Sequence, residues 1–197
     1  MSDANRLPLP APFEGNIILV GLMGAGKTSV GKALARILGK TFHDSDHEIE
    51  RATGVKVATI FEIEGEPGFR VRESKMLAEL VRLNDIVLAT GGGAILSQAN
   101  RDLLAANGTV IYLRAPVRSL IKRTRRDRSR PLLQVSGPAA KLTALYEERD
   151  PLYREIAHLI VDTGDQSVHV LAGQIAGKLL ALTSLVDTVG TTSAATP

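Results

Sequence analysis

The chain has 197 residues, no cysteine, 23% charged residues and a formal charge of +3. That length suffices for one sizeable core and leaves little room for a second domain. The missing cysteines exclude disulfides and thiolate metal sites, and the mild charge does not suit a nucleic-acid or membrane-surface protein. No apolar run approaches the ~20 residues that span a bilayer, and the N-terminus lacks the basic-then-apolar order of a signal peptide. A cytoplasmic protein is expected.

In chain order, residues 1–14 carry three prolines and no apolar period, which predicts a mobile tail. The working domain is expected over about 15–183. A second mobile tail, 184–197, ends in Gly190-Thr-Thr-Ser-Ala-Ala-Thr-Pro197. Short apolar runs at Ile17 to Val20, Ile86 to Ala89, Val110 to Leu113 and Leu159 to Val161 predict strands, with a weaker one at Thr41 to His43. Helical periods follow at 27–38, 66–82, 98–106, 116–125, 138–157 and 168–182. This alternation predicts a three-layer α/β/α fold around a five-stranded parallel sheet. Ligands of such sheets bind beyond the carboxyl ends of the strands, so motifs placed there carry most weight.

Directly after the first predicted strand comes Gly21-Leu-Met-Gly24-Ala25-Gly26-Lys27-Thr28, which satisfies G-x-x-x-x-G-K-[ST] at every fixed position. Glycines there let successive N–H groups converge on phosphate oxygens at the start of a helix. Lys27 adds a point charge toward the β and γ phosphates of a nucleotide, and the Thr28 hydroxyl is placed to ligate Mg2+. The bland alternative is a glycine-rich turn before a helix with a solvated lysine. The strand before the motif and the helix after it favour nucleotide binding.

Three further segments bear on what receives a phosphoryl group. Asp44-Ser-Asp46 follows the second strand. On an extended segment the two carboxylates would share a face, one toward Mg2+ through water and one toward an acceptor hydroxyl. They could equally be acids that cap a helix over 47–51. Gly91-Gly92-Gly93 follows the third strand, where missing side chains let a ligand touch backbone, although a flexible connection has the same composition. No acid precedes these glycines, which makes Asp44 the metal partner to expect. The stretch from Arg114 to Arg130 holds eight Lys or Arg and one acid. Its dense part, Arg123 to Arg130, is too polar for a packed helix. It predicts a mobile lid, about 123–135, closing guanidinium groups onto phosphates. An RNA-binding strip is the rival reading, weakened because no aromatic lies within the stretch to stack a base.

Taken together, these residues resemble the shikimate kinase family. The resemblance covers about 15–182 and rests on Gly21 to Ser29, Asp44-Ser-Asp46, Gly65-Glu-Pro-Gly-Phe-Arg70, Gly91-Gly-Gly-Ala94, Arg123-Thr with Arg130-Pro-Leu-Leu, Glu148-Arg-Asp-Pro-Leu-Tyr153 and Val161-Asp-Thr163. It implies a P-loop kinase fold with a lid, and ATP- and Mg2+-dependent phosphorylation of the 3-hydroxyl of shikimate on the route to chorismate and aromatic amino acids. It also implies roles for individual residues. Gly24, Ala25, Gly26, Lys27, Thr28 and Ser29 would hold the nucleotide phosphates, with Arg123 beside the adenine and Gln166 on the last loop. Thr28 and Asp44 would serve the metal, and Lys27, Asp46 and Arg130 the transfer itself. Asp46, Arg70, Gly91, Gly92, Gly93 and Arg149 would bind shikimate, the two arginines taking its carboxylate in the bidentate manner that suits a guanidinium. A monomer with no nucleic-acid or membrane partner is expected. The alternatives are another small-molecule kinase of the gluconate-kinase kind, and a nucleotide-gated RNA-binding protein.

Overall fold

A computed structural model describes residues 13–125 and 137–190, with side chains as far as 181. The elements follow in the order β1 (Ile17–Val20), α1 (Lys27–Leu38), β2 (Thr41–Asp44), α2 (Ser45–Thr53), α3 (Val57–Leu80), β3 (Ile86–Ala89), α4 (Gln98–Ala106), β4 (Thr109–Arg114), α5 (Val117–Thr124), α6 (Pro138–Ile156), β5 (Leu159–Asp162) and α7 (Val168–Gly190). The five strands form one parallel sheet in the order β2-β3-β1-β4-β5. β1 and β3 are buried along their whole length. That burial on both faces is why they read as unbroken apolar runs instead of alternating ones. Helices α1 and α7 pack on each other over one face of the sheet, and α4, α5 and α6 pack together on the other. The expected α/β/α layering therefore holds.

The strand order decides where the motifs meet. β1 pairs with β3 (Leu19 opposite Ala89) and with β4 (Val20 opposite Tyr112), so the chain leaves β1 at the point where the sheet order reverses. β2 pairs with β3, setting Asp44 opposite Ala89. The loops after β1, β2 and β3 are thus side by side, although about seventy residues separate the first from the last.

Three helical segments go beyond the periodicity. α2 and the first half of α3 form although Gly54 follows the one and Gly65 interrupts the other. Gly54 caps α2 in the left-handed conformation, with its N–H on the Glu50 carbonyl. Gly65 breaks α3 into two rods instead of ending it (φ 69°, ψ 179°). α7 runs on to Gly190, past the expected end near 182, because no Gly or Pro interrupts residues 178–189. Most of the expected lid, Arg130 included, lies outside the described residues, as do 1–12 and 191–197.

Candidate active site

The phosphate loop closes on itself between β1 and α1. Gly24 and Gly26 take φ of 80° and 101°, left-handed values that a side chain resists. Gly26 serves as the N-cap of α1. Lys27, the first helical residue, reaches back to donate to the carbonyls of Gly21 (2.6 Å) and Leu22 (3.1 Å). The loop backbone is therefore braced by the cation expected to meet a phosphate.

Asp44 and Asp46 do not lie on one extended segment. Asp44 ends β2 in the β region and caps α2, its Oδ1 accepting from the Asp46 N–H at 3.2 Å, while Asp46 sits in the first helical turn. Both readings of the pair are combined in Asp44, because its other oxygen accepts from the Thr28 hydroxyl at 2.7 Å. Thr28 and Asp44 thus present two hard oxygen donors beside the phosphate loop. Such a set suits Mg2+, which takes one or two protein oxygens and completes its octahedron with phosphates and water. Among the described residues no group of three or more His, Asp or Glu could form a closed metal cage.

The glycine run after β3 is pinned from several sides. The Gly91 N–H donates to the Ser45 hydroxyl at 2.9 Å, so the middle residue of Asp-Ser-Asp ties the second strand end to the third. A Cβ on Gly91 would overlap the Glu73 carboxylate and lie 2.9 Å from Asp46 Oδ1. Close approach of two carboxylates is what demands glycine there. The turn that follows, Ala94–Leu96, is held from α4, where Asn100 Nδ2 donates to the Ala94 carbonyl (3.0 Å) and Arg101 Nη1 to that of Ile95 (2.7 Å).

The second rod of α3 carries Arg70 and Glu73 one turn apart. Arg70 pairs with Glu73 through Nη1 (2.7 Å) and with Glu66 through Nη2 (2.7 Å). Glu73 has no exposed surface, and its Oε1 has no hydrogen-bond partner among the described residues. Burial pushes its carboxyl above the ordinary glutamate range and outweighs the pull of Arg70, with the neighbouring Asp46 adding to the rise. From α6, Arg149 is buried at 3% exposure, donates through Nη1 to the Gly92 carbonyl at 3.2 Å, and leaves its Nε without a described partner. Two guanidiniums thus converge on the glycine run from different helices.

A cavity of about 780 Å3 joins these parts. Its lining includes Gly24, Gly26, Lys27, Thr28, Ser29, Asp44, Asp46, Arg70, Gly91, Gly92, Gly93, Arg123 and Arg149, with Phe61 and Phe69 as an apolar wall. Arg123, on the last turn of α5, donates to the carbonyls of Gly24 (3.2 Å) and Gly164 (2.7 Å), bridging the phosphate loop to the loop after β5. Two predicted residues stand apart. Ala25 is buried in the core, and Gln166, exposed on the last loop, is not in the lining; its amide lies 3.5 Å from the Asp162 carbonyl. The sequence reading overlooked Ser45, Glu73 and Tyr153.

The chain matches the family model for shikimate kinase over residues 23–180. It is 58% identical over 174 residues to a shikimate kinase of Chromobacterium violaceum, covering 88% of this chain and 95% of that protein. To a shikimate kinase of Thiobacillus denitrificans it is 61% identical over 164 residues, with 83% and 90% covered. A solved shikimate kinase from Acinetobacter baumannii, in complex with shikimate, superposes with a TM-score of 0.84 at 52% identity, covering 85% of this chain and 94% of that one.

Proposed function

The chain belongs to the shikimate kinase family, and we propose that it transfers the γ-phosphoryl group of ATP to the 3-hydroxyl of shikimate, on the route to chorismate and the aromatic amino acids. The observation that carries this reading is one cavity with two chemically distinct halves. A phosphate loop with Lys27, Thr28 and Ser29 lines one half, and an acidic and guanidinium-bearing pocket for a hydroxylated acid lines the other.

The loop amides and Lys27 would hold the phosphate charge in place, so that little reorganisation is needed as negative charge redistributes in the transition state. Thr28 and Asp44 are the residues that would hold Mg2+, which when bound neutralises phosphate charge and orients the γ-phosphoryl group. Asp46 would orient the acceptor hydroxyl and take its proton. Arg70 and Arg149 would clamp the shikimate carboxylate between two helices, fixing the ring in line with the phosphate. Arg123 would flank the adenine with Gln166 nearby, and Arg130 would close over the phosphates from the lid. All the residues invoked come from one chain, which fits a monomer. The absence of cysteine and of any described helix long and apolar enough to cross a membrane fits a cytoplasmic setting.

The test is ADP release by the purified chain with ATP, Mg2+ and shikimate, beside matched reactions with gluconate, a nucleoside monophosphate or no acceptor. Turnover with shikimate alone is expected. Turnover with another acceptor instead would keep the kinase and discard the substrate.

A further inference from the structure

α6 sets Arg149 and Tyr153 one turn apart on the same helix face. Both side chains end on a single atom, the carbonyl oxygen of Gly92, to which Arg149 Nη1 donates at 3.2 Å and the Tyr153 hydroxyl at 2.5 Å. Tyr153 has no exposed surface and stacks on Tyr112, ring centroids 4.9 Å apart and planes at 27°. The Tyr112 hydroxyl is committed elsewhere, to Asp150 Oδ1 at 2.8 Å. The Tyr153 ring is therefore held in orientation by packing, and burial pushes its phenol well above the ordinary value, so it stays an O–H donor.

The carbonyl it holds needs holding. A peptide between two glycines has no Cβ on either side to bias its dihedrals, so it flips more cheaply than most others. In a trans peptide the C=O and the following N–H point in opposite directions. Fixing the Gly92 carbonyl toward α6 turns the Gly93 N–H away from α6, on a residue that lines the cavity. The opposite face of Gly92 abuts the phosphate loop, where a Cβ would lie 3.4 Å from the Met23 nitrogen.

We infer that Tyr153 is a positioning residue of the acceptor site: its hydroxyl, together with Arg149, locks the Gly92–Gly93 peptide so that the Gly93 N–H is presented to the acceptor, and the shared carbonyl holds the Arg149 guanidinium in register with it. The inference rests on the shikimate-kinase reading and adds a residue to that same site.

The test compares Tyr153→Phe, which removes one oxygen, with Tyr112→Phe, which removes the other hydroxyl of the stacked pair and leaves Gly92 untouched. Tyr153→Phe raises the KM for shikimate about tenfold, the scale of losing a buried hydrogen bond, while the KM for ATP stays within about twofold and kcat falls less than the shikimate KM rises. Tyr112→Phe lowers Tm about as much as Tyr153→Phe does and leaves the shikimate KM alone. In the wild-type chain, the amide resonance of Gly93 shifts when shikimate is added, a readout that does not depend on either variant folding. A shikimate KM within twofold of wild type in Tyr153→Phe, an equal rise in Tyr112→Phe, or an unmoved Gly93 resonance overturns the inference. A wild-type chain that does not turn over shikimate defeats the underlying reading as well, which separates the two failures.

Discussion

At the scale of single residues, the half of the cavity proposed for the acceptor is organised around a buried acid. Glu73 gives Arg70 a fixed partner and crowds Gly91 so closely that no side chain fits there. Gly91→Ala must displace Glu73 or Asp46. Overpacking of this kind costs about 1–3 kcal/mol, so the shikimate KM is expected to rise about tenfold while the ATP KM changes little, as steady-state kinetics with each substrate varied would show. The burial of Glu73 also has a pH signature. Its folded-state pKa is raised, so the folded chain holds this proton more tightly than the unfolded chain does. The corresponding stability is present below the ordinary glutamate value, ~4.3, and is lost as pH rises through the folded value. Wild type should therefore lose stability relative to Glu73→Gln as pH rises above the ordinary glutamate value. Urea unfolding of both proteins across that range measures the difference, and parallel curves would mean the carboxyl is not desolvated.

At the scale of elements, α3 is the piece whose shape matters most. Its break at Gly65 turns the second rod so that Arg70 and Glu73 face the glycine run, and an ion pair from Glu64 to Arg72, 2.6 and 2.8 Å long, spans the break. The dihedrals of Gly65 belong to a region that glycine alone occupies at low cost. Gly65→Ala is expected to destabilise the chain by about 1–3 kcal/mol, seen as a lower midpoint in chemical denaturation. An unchanged midpoint would show that the break relaxes without strain. Around this helix, Ile49, Ile60 and Phe69 form an apolar cluster separate from the main core. The α2–α3 unit thus has its own small packing centre, and it supplies Asp46, Arg70 and Glu73 to the cavity lining.

At the scale of the molecule, the sheet order brings the phosphate loop, the Asp44 helix cap and the glycine run to one edge, and Arg123 ties that edge to the far side. Its guanidinium spans the phosphate loop and the loop after β5. Arg123→Ala should loosen both loops on the nucleotide side. Its exposure to solvent limits the effect, so the ATP KM is expected to rise about threefold to tenfold, with the shikimate KM held. A shift in the shikimate KM instead would mean that the two halves of the cavity are coupled through this arginine.

Much was legible in the chain itself because some chemistry is local. A glycine-rich loop between an apolar strand and a helix is specified by adjacent residues, and strands buried on both faces announce themselves as unbroken apolar runs. The five strands, the phosphate loop and the approximate limits of α1, α4, α5 and α6 follow from such short-range patterns. Arg70 and Arg149 came only by resemblance, since nothing in a helical period separates a solvated arginine from one aimed into a cavity. Ser45, Glu73 and Tyr153 became visible only in three dimensions. Each acts on a glycine of the 91–93 run from 46 residues before it, from 18 before it and from 61 after it. The order β2-β3-β1-β4-β5 decided those meetings, because contacts between distant segments are set by which strands pair and not by the composition of the segments that pairing brings together.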